Sequence, residues 1–159
     1  IELDIAKKKS KFKECKDLIN WVLKSEKLGQ YNEVGRQKRF FRECENHKAL
    51  LKKLLNTLKK QGKNIVGYGA STKGNVILQY CGINEKLINK IAEVNKYKFG
   101  RYTPGTNIKI VSEKKAMKNF PDYLFVLPWH FKDHIIKREN KFLKKGGKLI
   151  FPLPDIEII

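Results

Sequence analysis

The sequence predicts an α/β protein, a parallel sheet covered by helices on both faces and preceded by a helical arm. Three observations carry that prediction. Apolar side chains recur at helical spacing through residues 1–62. From Lys63 onward, short apolar runs alternate with helical stretches, and the turns between them are short and glycine-rich. The expected division is therefore 1–62 as helical arm or linker and 63–159 as the sheet domain. At 159 residues and 41% apolar content the chain is long enough to bury a core.

In the arm, Phe12, Cys15, Leu18, Ile19, Val22 and Leu23 recur along one helix, which Leu28-Gly29 stops. A second helix runs from about Asn32 to Gln61, with a stripe of Phe40, Phe41, Cys44, Leu51, Leu54, Leu55 and Leu58 and with Gly62 closing it. At 1.5 Å per residue such a helix is about 45 Å long. That exceeds one small domain, so its first half is expected to project or to pack on something else. Asn64–Tyr68 reads as the first strand, Gly74–Tyr80 as a helix and Lys90–Val94 as the second strand. Asn107–Val111 is a short extended piece, and Ser112–Lys118 opens a helix with Ser112 at its N-cap. Tyr123–Leu127 is apolar throughout, as a strand buried on both faces is. Phe131–Leu143 reads as one helix with Phe131, Ile135, Phe142 and Leu143 inward. Gly146-Gly147 then turns the chain into a last strand, Lys148–Phe151.

The formal net charge of +19 points first to nucleic acid as a partner. Thirty of the 35 basic residues are Lys, however, and they are spread along the chain rather than gathered into an arginine-rich stripe. Solvated lysine faces explain them more simply. No run approaches the roughly 18 apolar residues of a membrane span, and the N-terminus carries no signal-peptide pattern. Cys15, Cys44 and Cys81 stand far apart with no CxxC pair, the pattern of reduced thiols in a cytoplasmic protein rather than of a zinc site. The chain begins at Ile1 and not at Met, so it is expected to be a piece of something longer.

The chemistry concentrates in three loops. The first is Gly67-Tyr68-Gly69-Ala70-Ser71-Thr72-Lys73-Gly74-Asn75, between the first strand and its helix. A strand, a glycine turn and a helix start make an anion cradle, because the first-turn N–H groups are unpaired and carry partial positive charge. The Walker A pattern fails, since Gly74 is followed by Asn75 and not by Lys and a hydroxyl residue. The dinucleotide pattern GxGxxG is altered, with Thr72 in the place of the third glycine. In that pattern Glu93, ending the second strand, would bind a ribose hydroxyl. The alternative is a tight βα turn with no ligand. The second loop, Tyr97 to Ile108, carries Lys98, Arg101, Pro104 and Gly105; an arginine there grips phosphate, and Pro-Gly shapes a turn. The third, Leu127 to Phe131, brings Pro128, Trp129 and His130 to the end of the apolar strand. Trp129 offers a face for stacking and His130 a hydrogen bond. His130 and His134 are four apart, but two histidines without a third ligand make a weak metal site, and His134 reads as structural.

At these loops the resemblance becomes specific. "GYGASTKGNVILQYCGI", "NKYKFGRYTPGTNIKI" and "PDYLFVLPWHFKDHI" with the later "GGKLIFPLP" resemble the C-terminal domain of S-adenosylmethionine-dependent sugar C-methyltransferases, over about Asn32 to Ile158. The resemblance implies a Rossmann-like domain that follows a zinc-binding module and a methyltransferase domain. S-adenosylmethionine, zinc and the catalytic acid/base residues then belong to those other parts, and this chain carries no catalytic residue and no cofactor. Its implied task is to hold a nucleotide-diphosphate sugar while a base removes a proton α to the sugar ketone and the enolate attacks the sulfonium methyl. Carried onto this sequence, the ligand-binding positions are Gly67 through Asn75, Glu93, Asn95, Lys98, Arg101, Tyr102, Thr106, Trp129 and His130. Lys73 and Arg101 are expected at the diphosphate, and Trp129 and Tyr102 as stacking faces.

The chain departs from the family pattern at three places. Ser71-Thr72 replace Pro-Ala in GYGAPAKGN, Glu93-Val94-Asn95-Lys96 lacks the usual Arg and Pro, and His130 follows Trp129 where Asn is common. These departures bear on sugar or base specificity. The resemblance also implies contact with the preceding methyltransferase domain, and the long helix offers a surface for self-association. Two other classes remain open at this point: an NAD(P)-binding oxidoreductase domain, and a basic nucleic-acid-binding module.

Overall fold

The computed structural model describes residues 5, 7, 8, 10, 11 and 13–159. Phe12, expected at the head of the first helix, lies outside them. The chain divides into two compact units, one up to Cys44 and one from Glu45 to Ile159.

The first unit holds helix α1 (Lys16–Leu28) and the start of helix α2 (Val34–Lys60). Helix α1 ends at the expected place, but the residue that takes the left-handed conformation is Gln30, at φ 54°, and not Gly29. No residue of α1 is buried, and Leu18, Ile19, Trp21 and Leu23 are exposed.

In the second unit, α2 buries Leu51, Leu55 and Leu58. Gly62, at φ 73°, ends it as expected: Lys63 donates to the Leu58 carbonyl and Gly62 to the Lys59 carbonyl. Five parallel strands follow, β1 (Ile65–Tyr68), β2 (Lys90–Glu93), β3 (Lys109–Ser112), β4 (Tyr123–Val126) and β5 (Lys148–Phe151). A sixth, β6 (Glu157–Ile158), pairs antiparallel with β5 and makes the sheet mixed. Two residues are too few to show a period-2 pattern, so the sequence carries no signal for it.

The strand order is β3-β2-β1-β4-β5-β6, so the order reverses between β1 and β4. The side-chain period of two divides the sheet residues cleanly. Ile65, Ile91, Tyr123, Phe125 and Ile150 face one layer with Leu51, Leu55 and Leu58 of α2 and Ile77 and Leu78 of α3 (Thr72–Tyr80). Val66, Tyr68, Ala92, Leu124, Val126 and Leu149 face the other, against Ala116 of α4 (Glu113–Ala116), Ile135 of α5 (Lys132–Arg138) and Phe142 of α6 (Asn140–Lys144). Both faces are therefore covered, which is why β1 and β4 are buried at every position. The single helix expected over Phe131–Leu143 is broken: a 3-10 turn at Trp129–Phe131 leads into α5, and Glu139, at φ −92° and ψ 16°, separates α5 from α6.

Candidate functional site

Two connections and a group of side chains meet at the carboxyl edge of the sheet, where strand order reverses, and there ligands of open α/β sheets bind. The first is the glycine turn. Ser71 caps α3, its Oγ accepting from the Gly74 N–H at 3.0 Å. The Thr72 and Lys73 amides at the start of the helix are left for a ligand or water. Gly69 has φ 74°, and a Cβ there would lie 3.0 Å from the Pro128 ring. A Cβ on Gly74 would lie 2.6 Å from the Leu127 Cβ. The close approach of helix to strand that the third glycine of GxGxxG provides is thus supplied here by Gly74, two positions beyond Thr72. Measured by this contact the motif is displaced along the helix, and Thr72 is free to be exposed.

The second connection, after β2, is tied down by Glu93, which is only 7% exposed. Its Oε1 accepts from the Val94 N–H at 2.7 Å and the Asn95 N–H at 2.9 Å, and its Oε2 accepts from the Ala70 N–H at 3.0 Å. Lys98 Nζ stands 3.4 Å from Oε2 and donates to the Ala70 carbonyl at 2.9 Å. Burial by itself raises the Glu93 pKa, but the Asn95 and Val94 N–H bonds and the Lys98 ammonium outweigh it and hold the carboxyl below its ordinary value. This acid therefore clamps the glycine turn to the loop after β2, and its lone pairs are largely taken. The ribose hydroxyl expected at Glu93 meets a carboxylate already engaged by protein donors.

The third group comes from α4 and α5. Arg138 Nη2 lies 2.7 Å from both Glu113 oxygens, and its Nη1 donates to the Tyr68 hydroxyl at 2.7 Å. Tyr68 in turn donates to Glu139 Oε1 at 2.8 Å. Burial, then the Glu139 bond, pushes the Tyr68 phenol well above its ordinary pKa, so it stays a neutral donor. Burial by itself lowers the Arg138 pKa, and its interactions with Tyr68 and with the Glu113 and Glu139 carboxylates more than offset it.

Between these groups lies a cavity of about 270 Å³, lined by Tyr68, Gly69, Ala70, Ser71, Ala92, Glu93, Val94, Lys98, Glu113, Pro128, Phe131, His134, Ile135 and Arg138. Of the residues picked out in the sequence, Tyr68, Gly69, Ala70, Ser71, Glu93 and Lys98 line it. Gly67 sits inside β1, where a Cβ would meet Ile91 Cγ1 at 2.6 Å. Thr72, Lys73, Gly74 and Asn75 form the first turn of α3 beside the cavity, with Lys73 exposed. Asn95 uses its Oδ1 on the Tyr97 N–H at 3.0 Å. Arg101 is exposed and donates through Nε to the Tyr97 carbonyl at 2.8 Å, and Tyr102 is exposed beside Lys109. Thr106 is 4% exposed and bonds the Thr103 hydroxyl at 2.7 Å inside its own turn. Trp129 is half-buried against both layers of the core, and His130 is exposed at its edge.

Sequence reasoning missed Glu113, Phe131, Ile135 and Arg138 as site residues, and read His134 as structural where it is exposed and lines the cavity. One signal was available: Arg138 is one of five arginines in a chain that otherwise uses lysine. No group of three or more His, Cys, Asp or Glu among the described residues is placed to hold a metal ion. No helix among them is long and apolar enough to cross a membrane.

A curated relative, the C-methyltransferase NovU of Streptomyces niveus, is 35% identical over 115 residues, which is 72% of this chain and 27% of that protein. The chain thus spans about a quarter of the length of the relative it matches. A family model described as the C-methyltransferase C-terminal domain matches residues 1–154. With a glycine turn, a reversed strand order and a cleft at the sheet edge, this chain belongs to the C-methyltransferase C-terminal domain family.

Proposed function

We propose that this chain is the substrate-side domain of an S-adenosylmethionine-dependent C-methyltransferase acting on a nucleotide-linked sugar, and that it holds the nucleotide diphosphate. The cleft at the strand-order reversal carries this reading, with the glycine turn on one side and Pro128 and Phe131 on the other. Support also comes from the exposed Lys73 on the first turn of α3, beside open helix N–H groups. S-adenosylmethionine and zinc belong, in this reading, to other parts of such an enzyme. The engaged Glu93 carboxylate speaks against a cofactor ribose diol being held here.

Binding energy from the remote nucleotide would be used to position the sugar carbon for attack on the methyl group. This chain's residues would bind and orient, and proton removal would fall to residues elsewhere in the enzyme. Calorimetric titration at moderate salt with nucleoside diphosphates, NAD and S-adenosylmethionine tests the proposal. A nucleoside diphosphate is expected to bind and the other two are not. Lys73→Ala is expected to weaken it roughly tenfold, the loss of one charge-assisted contact. Binding of NAD alone would refute the reading in favour of an oxidoreductase domain.

A further inference from the structure

Lysines that lie far apart in the sequence are gathered by the fold at the amino edge of the sheet, opposite the cleft. Three adjacent strands, β1, β4 and β5, are entered there through segments 59–64, 117–122 and 143–148. The first segment brings Lys59, Lys60 and Lys63, the second brings Lys118, and the third brings Lys144, Lys145 and Lys148. Against these seven lysines stands a single acid, Asp122, and it is used within the fold. Its Oδ2 accepts from the Asn64 N–H at 2.8 Å, and its Oδ1 lies 3.6 Å from Lys63 Nζ. The other six lysines are exposed and enter no ion pair among the described residues. Beside the cleft, by contrast, Lys98 and Arg138 are each paired with a carboxylate.

We propose that this amino edge docks an acidic protein surface built around an apolar residue. Offsetting helix dipoles does not account for so many charges. Helices α2, α4 and α6 end here, and each C-terminus carries at most about half a negative unit charge, so about two lysines would offset all three. Neighbouring strands are about 4.8 Å apart, which puts the three segments within about 10 Å, close to the Debye length of about 8 Å. The surplus therefore acts as one field, which draws in an acidic partner and is relieved by it. Hydrogen bonds hold the segments in place. Asn64 Nδ2 donates to the Asn119 carbonyl at 3.0 Å, and the Lys148 N–H donates to the Asp122 carbonyl at 2.9 Å. Phe120, on the middle segment, is 46% exposed, its ring 5.0 Å from that of Phe142. An aromatic anchor inside a charged rim is the anatomy of a protein interface. A nucleic acid fits less well, because these segments hold no arginine to fork onto phosphate and one aromatic where strand binding stacks successive bases. A second copy of the chain, itself at +19, is repelled.

The experiment measures, by fluorescence anisotropy, binding of the chain to a labelled peptide of glutamates around a central leucine. An all-glutamate peptide and a mixed-sequence single-stranded oligonucleotide are the comparisons. Wild type is set against an edge variant, Lys118→Gln with Lys144→Gln and Lys148→Gln, and a control variant, Lys53→Gln with Lys96→Gln and Lys114→Gln. All six positions are exposed, so neither variant disturbs the core, and both lose the same charge. The edge variant is expected to bind the leucine-centred peptide roughly tenfold more weakly, the loss of three exposed charge contacts, while the control stays within about twofold of wild type. Phe120→Ser is expected to weaken that peptide and leave the all-glutamate peptide unchanged. Equal losses in the two triple variants would mean that net charge alone attracts the peptide, and would overturn the proposal. Tighter binding of the oligonucleotide, lost in the edge variant, would make the edge a nucleic-acid surface and overturn it too. No binding of either peptide by wild type at low salt, or a Phe120→Ser variant that binds the leucine-centred peptide as wild type does, also overturns it.

Discussion

The two halves of α2 carry the same kind of apolar stripe and meet different fates. In the second half Leu51 and Leu55 are fully buried, whereas in the first Phe41 is 62% exposed. Periodicity assigns residues to one side of a helix, but it does not say whether anything covers that side. In the sheet unit the stripe is part of the core, and in the N-terminal unit a comparable stripe lies open. A covered stripe contributes to stability through the apolar area removed from water, and an open one contributes little.

The largest effect expected follows from that contrast. Leu55→Ala removes a fully buried side chain and is expected to destabilise the chain by about 2–5 kcal/mol, read by denaturant unfolding. Phe41→Ser, in the open half, is expected to stay within about 0.5 kcal/mol. Equal losses would break the comparison, because they would mean that Phe41 is covered in solution.

Glycines sharpen it next. Gly74→Ala places a Cβ 2.6 Å from that of Leu127, a carbon fixed to the backbone that cannot swing aside, and is expected to cost about 1–3 kcal/mol. Gly35→Ala in the first turn of α2 meets nothing within 4 Å and is expected to be neutral or to stabilise by at most about 1 kcal/mol. Thermal unfolding of the two variants measures the difference. A neutral Gly74→Ala would show that α3 can move off β4 without cost.

The most local effect concerns pH. Glu93 has its folded pKa held below the ordinary 4.5, so its contribution is complete above that value. The contribution fades as pH falls below 4.5 and is gone once pH passes the folded pKa. Glu93→Gln is expected to flatten the acid side of the stability profile and to cost about 1–3 kcal/mol at neutral pH. An unchanged acid limb would mean that the carboxylate does not clamp the two loops.

What was legible in the sequence was local. The Ser112 cap, the left-handed Gly62 and the strand–turn–helix order each depend on residues within a few positions of one another. Glu93 was singled out from its place at the end of β2, although its partners turned out to be backbone N–H groups and Lys98. The Glu113–Arg138 side of the cavity wall was not legible, because Arg138 reaches Glu113 and Tyr68 across 25 and 70 positions. Thr106 shows the reverse error: a hydroxyl in a glycine loop reads as a ligand contact, yet it is spent inside its own turn.

The sequence by itself determined the alternation of elements, their caps and the glycine turn, since those follow from hydrogen bonds and apolar spacing along the chain. Only the tertiary structure decided that Gly74 and not position 72 meets the neighbouring strand, that β6 adds an antiparallel edge, and that two ion pairs line the cavity. Such contacts depend on the distance between distant segments once the sheet is assembled, and no local pattern encodes that distance.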